Sequence, residues 1–313
     1  MSKYMIKYSL RSNIIIFLLT LLFLSCTENS IEKSNKFKVE DCQIIFFVED
    51  SSLNETVDSL LQITFASPIE GLLQSEPLFS TVIVNSALEV TNSLNKQKNV
   101  LQVIKIISST AEDINSQMIE KDFLLSIYWD NDINKLYEEL KKLMLIVEKK
   151  ELEVIRKSFS RNSQKNIQTI LENNFGVKTV IPKKYKTEIE RDDLFLAAYD
   201  PSDREEIKKI CIFSFNYDKT DLSAQVLANV DSVFKTYFLG EEKETYATIE
   251  KNLPVSYYNN TYRGIWRLKG GFMGGVFIIK TYKMSSKITV CVGFVFDPAN
   301  TKRMHVKEFE AIL

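Results

Sequence analysis

From Gln43 onward the apolar residues of this chain fall into short β-branched or aromatic runs bounded by polar residues. Between them lie stretches whose apolar residues recur at three and four. None of these runs approaches the ~20 consecutive apolar residues of a membrane-spanning helix, so this part is expected to fold in water. Short strand-like runs alternating with amphipathic helices predict an α+β fold, mainly antiparallel sheets packed with helices.

The order of elements is readable. Gln43 to Val48 is an apolar run ended by Glu49 and Asp50, and Leu53, Val57, Leu60, Leu61 and Phe65 then take helical spacing. Phe79 to Val84, Val100 to Ile107 and Asp122 to Trp129 read as three strands. Ile133, Leu136, Tyr137, Leu140, Leu143, Met144 and Val147 mark a long amphipathic helix, with Asp130 to Asp132 available to cap it. It is predicted to run past Ile155, falter across Ser158 to Lys165, and resume through Ile167, Ile170 and Leu171 to a C-terminal cap at Asn174 and Gly176.

The second half repeats the pattern. Ile210 to Tyr217 reads as a strand, Leu222 to Phe238 as a helix closed by Gly240, and Tyr257 to Leu268, Val276 to Tyr282 and Ile288 to Phe296 as three strands. A short helix from Thr301 follows, and Val177 to Tyr199 reads as a connector or an added pair of strands. Both halves thus spell β-α-β-β-β-α, and their opening strands, Cys42 to Asp50 and Cys211 to Asp218, share a form. This hints at internal duplication, with halves 39–176 and 177–313.

What precedes the body is of another kind. Lys3, Lys7 and Arg11 lead into an apolar stretch from Ile14 to Leu24, too short to span a bilayer, which reads as a targeting segment over residues 1–25. Phe23-Leu24-Ser25-Cys26 resembles the lipobox of bacterial lipoproteins, so cleavage is expected before Cys26, with lipid attached to that cysteine. Acyl chains contribute ~0.8 kcal/mol per buried methylene, and two or three of them anchor stably. Residues 26–38 are almost wholly polar and read as a tether.

Loss of the leader removes three of 40 basic residues, leaving 37 against 41 acidic. No basic stripe interleaved with aromatics appears, which argues against a nucleic-acid partner. Beyond Cys26 the cysteines are Cys42, Cys211 and Cys291, an odd number in strand-like runs. They are expected to be core thiols, although one bridge is compatible with an oxidising envelope.

Exclusion covers much of the chemistry. One histidine, His305, cannot build a His-rich zinc site or an HExxH protease, and no GxSxG supplies a nucleophile elbow. His305 is expected to face solvent or lie at a helix end, and Asp297 to be an ordinary turn residue. No cofactor or metal is implied, and no catalytic residue is assigned.

The glycines are uneven: of nine, Gly264, Gly270, Gly271, Gly274 and Gly275 fall in one short segment. One reading is a loop whose N–H groups cradle an anion, flanked by Arg263, Arg267 and Lys269. The other is a tight turn between two strands, with Gly274 or Gly275 at positive φ and Trp266 or Phe272 packed over it. The candidate binding loop is Arg263, Trp266, Gly270, Gly271, Phe272, Met273, Gly274 and Gly275.

Several segments together carry a family resemblance: Gln74 to Phe79, Asn173 to Gly176, Ile181-Pro182, Arg263 to Trp266, Phe272 to Gly275, Gly293 to Pro298, Lys302-Arg303 and Glu310 to Leu313. The chain resembles a family of Bacteroidota lipoproteins, domain of unknown function 4837. It departs from that family at Gln97-Lys98-Asn99, where His-Arg-Asn is usual, and at Val276, where proline is usual. The resemblance implies an envelope location and a shared fold but brings no activity. The expectation is a lipid-anchored, non-catalytic binding or structural module, on the outer membrane with its body in the periplasm or at the cell surface. Its partners would be the membrane and an envelope protein, glycan or lipid. The alternatives are a metal-independent envelope hydrolase using Asp or Glu, and an assembly or transport accessory.

Overall fold

The first strand is apolar at nearly every position because both of its faces are covered. As β1 (Gln43–Val48) it sits inside a five-stranded sheet, paired in parallel with β2 (Ser80–Val84) on one side and β3 (Val100–Ser108) on the other. A strand so placed needs continuous rather than alternating apolar residues. β3 pairs in parallel with β5 (Leu124–Trp129), and β4 (Ile119–Lys121) lies antiparallel along the far edge of β5. In this computed structural model the described residues are 43–96, 100–108, 119–121, 124–284 and 286–313. The leader 1–25, Cys26, the tether to Lys38, Cys42, Gln97 to Asn99 and Asp122 lie outside them.

Helices α1 (Asn54–Ile63) and α2 (Ala87–Lys96) are the crossovers that make these pairings parallel. The sequence reading lacks α2, for a physical reason. Leu88 and Leu94 are exposed, so no buried apolar stripe announces the helix. With it in place the first half runs β-α-β-α-β-β-β-α, and the two halves do not repeat one topology.

Asp132 caps α3 (Ile133–Arg161) by accepting from Asn134 N–H at 2.9 Å. α3 breaks at Asn162, and α4 (Lys165–Phe175) resumes the course as far as the left-handed Gly176. β6 (Lys186–Glu190) and β7 (Leu194–Tyr199) are the added pair of strands. After β8 (Ile207–Asn216) comes α5 (Leu222–Tyr237), then β9 (Tyr246–Ile249), β10 (Ser256–Tyr258), β11 (Thr261–Lys269), β12 (Gly274–Met284), β13 (Lys287–Phe296) and α6 (Arg303–Ile312).

These strands form an antiparallel sheet in the order β10-β11-β12-β13-β8-β7-β6, with β9 paired to the end of β11. The expected single strand Tyr257 to Leu268 is a hairpin instead. Asn259 and Asn260 both take positive φ, as in the two-residue turn that matches strand twist. Lys38–Leu313 is one compact unit. Among the described residues no helix is long and apolar enough to cross a membrane.

Candidate functional site

Two consecutive lysines on β8 show how the antiparallel sheet divides. Successive residues of a strand point to opposite faces. Lys208 turns toward α6, where it binds Glu308 at 2.5 Å and Glu206 at 2.9 Å. Lys209 turns to the other face, toward Glu188 at 3.1 Å and over the ring of Phe238 at 5.4 Å.

On the Lys209 face α5 seals the sheet with Val226, Val230 and Phe234, the last meeting Phe294 edge-on at 5.5 Å. The helix stops at Tyr237, and beyond Phe238 the sheet is uncovered. A cleft of about 690 Å³ opens there. Its lining includes Ala198 of β7, Ile207 and Lys209 of β8, Trp266 and Leu268 of β11, Phe294 of β13, and Phe238 and Leu239 after α5. Trp266 stacks on Phe294 at 3.8 Å and donates its indole N–H to Val295 O at 3.0 Å, which fixes the floor. Glu188, Asp200, Glu241 and Glu242 also line the cleft.

One wall is the turn between β11 and β12. Leu268 N–H donates to Met273 O at 2.8 Å and Gly271 N–H to Leu268 O at 3.2 Å. Gly270 takes φ +80°, a conformation open to glycine, while Gly274 and Gly275 have negative φ or extended backbone and begin β12. The positive φ thus falls in the turn itself rather than at the second glycine pair. At the tip Phe272 is 94% exposed.

Of the sequence candidates, Trp266, Gly270, Gly271, Phe272 and Met273 line the cleft; Arg263, Gly274 and Gly275 do not. Arg263 is buried on the opposite face, its Nε 2.6 Å from Glu310. Arg267 pairs with Glu250 at 2.7 Å, and Lys269 donates to Tyr246 Oη at 3.0 Å. The cations that an anion-cradling loop would use are therefore engaged elsewhere. Sequence reasoning missed the acidic lining and Phe238 and Phe294, which arrive from four distant segments. Only the run Leu239-Gly240-Glu241-Glu242, an apolar residue and a glycine followed by two acids, offered a local signal.

The α6 face has another character. Nearly all of α6 is buried, charges included. Lys307 binds Glu148 of α3 at 2.6 Å and Glu310 at 3.2 Å, while Arg303 binds Glu151 of α3 at 2.8 Å. Glu76, ahead of β2, accepts the backbone N–H groups of Lys302 and Arg303 at the start of the helix. His305 lies at a helix end, in the first turn of α6, but is fully buried rather than solvent-facing, with Nε2 2.8 Å from Asp297, so Asp297 is no ordinary turn residue.

Burial alone would raise the Glu308 carboxyl, but the ammonium groups of Lys208 and Lys184 outweigh it and hold it below its usual value. Glu310 is likewise lowered, by Lys307 and Arg263 against burial. Burial, then the Lys208 charge, pushes the His305 imidazole down against the pull of Glu308 and Asp297.

Possible ligand atoms of Glu206, Asp297 and His305 lie within 4.8 Å of one another, a grouping the sequence did not suggest. Its carboxylates are already engaged: His305 Nε2 and Asn300 hydrogen-bond Asp297, and the Lys208 ammonium sits on Glu206, while the buried His305 Nδ1 has no hydrogen-bond partner. Lys208 supplies the positive charge that a metal would bring, so the arrangement is an ion-pair network. Cys211 and Cys291 are buried free thiols, with burial raising Cys291 to about 12. Such thiols are unreactive core residues.

The fold is thus an α+β body with a concave, aromatic-floored cleft on the open face of its antiparallel sheet. Residues 163–313 match the model of a domain of unknown function (DUF4837). That span holds every residue lining the cleft and all of α6, and it is shorter than the resemblance drawn from the whole body. No curated protein matches the sequence. A crystal structure from Bacteroides thetaiotaomicron VPI-5482 at 1.50 Å resolution is 15% identical with a TM-score of 0.20; the match covers 42% of this chain and 41% of that one.

Proposed function

We propose that this chain is a lipid-anchored envelope protein that holds a ligand with an apolar part in the cleft beside the Gly270 to Met273 turn. The observation that carries the reading is the cleft itself. About 690 Å³ of concave surface, floored by Trp266 and Phe294, is flanked by Phe272 and Leu239, both large and exposed. Pockets of some 300–1,000 Å³ with apolar walls and a few polar groups are the usual form of ligand sites. A non-catalytic role is favoured because the buried carboxylates held below their usual values do not line the cleft: Glu308 and Glu310 bind cations inside the ionic core, and Asp297 hydrogen-bonds Asn300 and His305. The lipid anchor rests on the leader and on Cys26.

Two measurements test the reading. Phe272→Ala should weaken binding of the neutral probe N-phenyl-1-naphthylamine severalfold while leaving the melting temperature unchanged; wild-type affinity in the variant would remove the cleft assignment. Cys26→Ala should abolish incorporation of labelled fatty acid, and label that still enters the variant would remove the anchor.

A further inference from the structure

We propose that the cleft prefers ligands in which a positively charged group adjoins an apolar body, an organic ammonium rather than a carboxylate. The inference rests on the cleft being the binding site and concerns its charge selectivity. Four carboxylates line it, Glu188, Asp200, Glu241 and Glu242, against one ammonium, Lys209, which is already bound to Glu188. The C-terminal end of α5 also reaches the cleft at Phe238, and helix ends of this polarity carry partial negative charge. Both contributions act beside low-dielectric walls, which concentrate the field.

The protein already contains a small-scale copy of the interaction. The Lys209 ammonium sits over the Phe238 ring at 5.4 Å with a Glu188 carboxylate oxygen 3.1 Å away. An aromatic face and a carboxylate sharing one cation is a favourable arrangement for ammonium groups. Phe272, 94% exposed, and the exposed Glu241 and Glu242 line the same cleft and offer the same kinds of group, with no cation among the described residues paired to them. An added peptide strand is the less suitable occupant. The neighbouring edge strand β6 is short, carries Lys186 and contains an irregularity between Thr187 and Ile189, features that discourage strand pairing.

The test uses the full-length protein in a neutral detergent, with protein-free micelles as the blank. Dansylcadaverine, whose naphthyl body carries a primary ammonium, is compared with its succinylated counterpart, which ends in a carboxylate. The expected result is at least tenfold tighter binding of the ammonium probe at low salt, a margin that shrinks as salt screens it. In the Glu241→Gln/Glu242→Gln double variant the preference should fall below threefold with the melting temperature unchanged. Equal affinities in the wild type, or a preference that survives in the double variant, would overturn the charge selectivity while leaving the cleft as a site. No binding of either probe above the blank would overturn the cleft reading and the selectivity together.

Discussion

Gly275 is the position where the structure makes its strongest quantitative demand. It faces Trp266 across the β11–β12 ladder. A Cβ built on it would stand 2.0 Å from Val295 O, about 1 Å inside the 3.0 Å that real Cβ atoms respect. Val295 O is also the acceptor for the Trp266 indole, so any backbone retreat that relieves the clash loosens that hydrogen bond. Overpacking costs ~1–3 kcal/mol, and leaving a buried donor unmatched costs ~1–3 kcal/mol more. Replacing glycine by alanine restrains the unfolded chain and offsets ~0.4–1 kcal/mol of this. Together these span roughly 1–6 kcal/mol, with a central expectation for Gly275→Ala of about 3 kcal/mol. At ~2 °C per kcal/mol for a body of this size, that central value lowers the melting temperature by about 6 °C. Gly274→Ala is the control, because its nearest neighbour, Trp266 O, is 3.0 Å away and the next atom is at 3.8 Å. That variant should stay within ~1 kcal/mol of wild type. Thermal melts followed by far-ultraviolet circular dichroism distinguish the two. A Gly275→Ala variant that melts with wild type, or equal losses in both variants, would refute the clash with Val295 O as the cause.

Two further expectations concern the ionic face. Arg263→Ala removes one of the two cations on the buried Glu310, leaves Lys307, and should cost ~1.5–3 kcal/mol, with naphthyl-probe binding by the folded protein unchanged; a wild-type melting temperature would contradict it. The His305 imidazole is held below its ordinary value of 6.5 in the fold, so as pH drops the unfolded chain takes the proton first. Stability should therefore decline below about pH 6.5, by at most ~1.4 kcal/mol per pH unit for that proton. Asp297, Glu308 and Glu310, also lowered in the fold, add their losses in the more acidic carboxylate range. His305→Gln should flatten the first decline and keep the second, and parallel melting-temperature profiles for variant and wild type between about pH 7 and 5 would refute the assignment.

What could be read from the sequence follows from how local each signal is. The apolar run of β1, the three-and-four spacing of α3, its Asp132 cap and the glycine that closes α4 are each set by neighbours within a turn or two, and all stand where the pattern put them. The glycine-rich turn also stands between two strands, because its backbone demand is local. α2 escaped because its stripe is hardly buried, and without it a parallel sheet looked like a run of hairpins. The Asn259-Asn260 turn was readable in principle, since paired asparagines are suited to positive φ, but it was hidden inside an aromatic stretch. The cleft floor and the partners of α6 join positions far apart in the chain, as in the 159-residue separation of Lys307 and Glu148. No local pattern records such a meeting.

That distance also explains why α6 misleads. Arg303, His305, Lys307, Glu308 and Glu310 look like the polar side of a surface helix, yet each has a partner of opposite charge or a hydrogen-bonding carboxylate brought to it by another element. Removing so many charges from water gains little net stability even when all are paired, and an apolar helix of equal volume would serve as well or better for that purpose. Ion pairs differ from apolar contacts in being directional. Glu148 and Glu151 on α3, Arg263 on β11 and Lys208 on β8 can all be matched in a single placement of α6. The helix thereby ties the parallel sheet's long helix to the back of the antiparallel sheet in one register. On the opposite face α5 rests chiefly on apolar contacts that end at Phe238, with Asp231 accepting from Thr248 and Ile249 of β9 as a polar tie to the sheet. A sheet held this firmly from behind can leave part of its front uncovered, and the uncovered part is where the aromatic floor, the exposed Phe272 and the acidic lining come together.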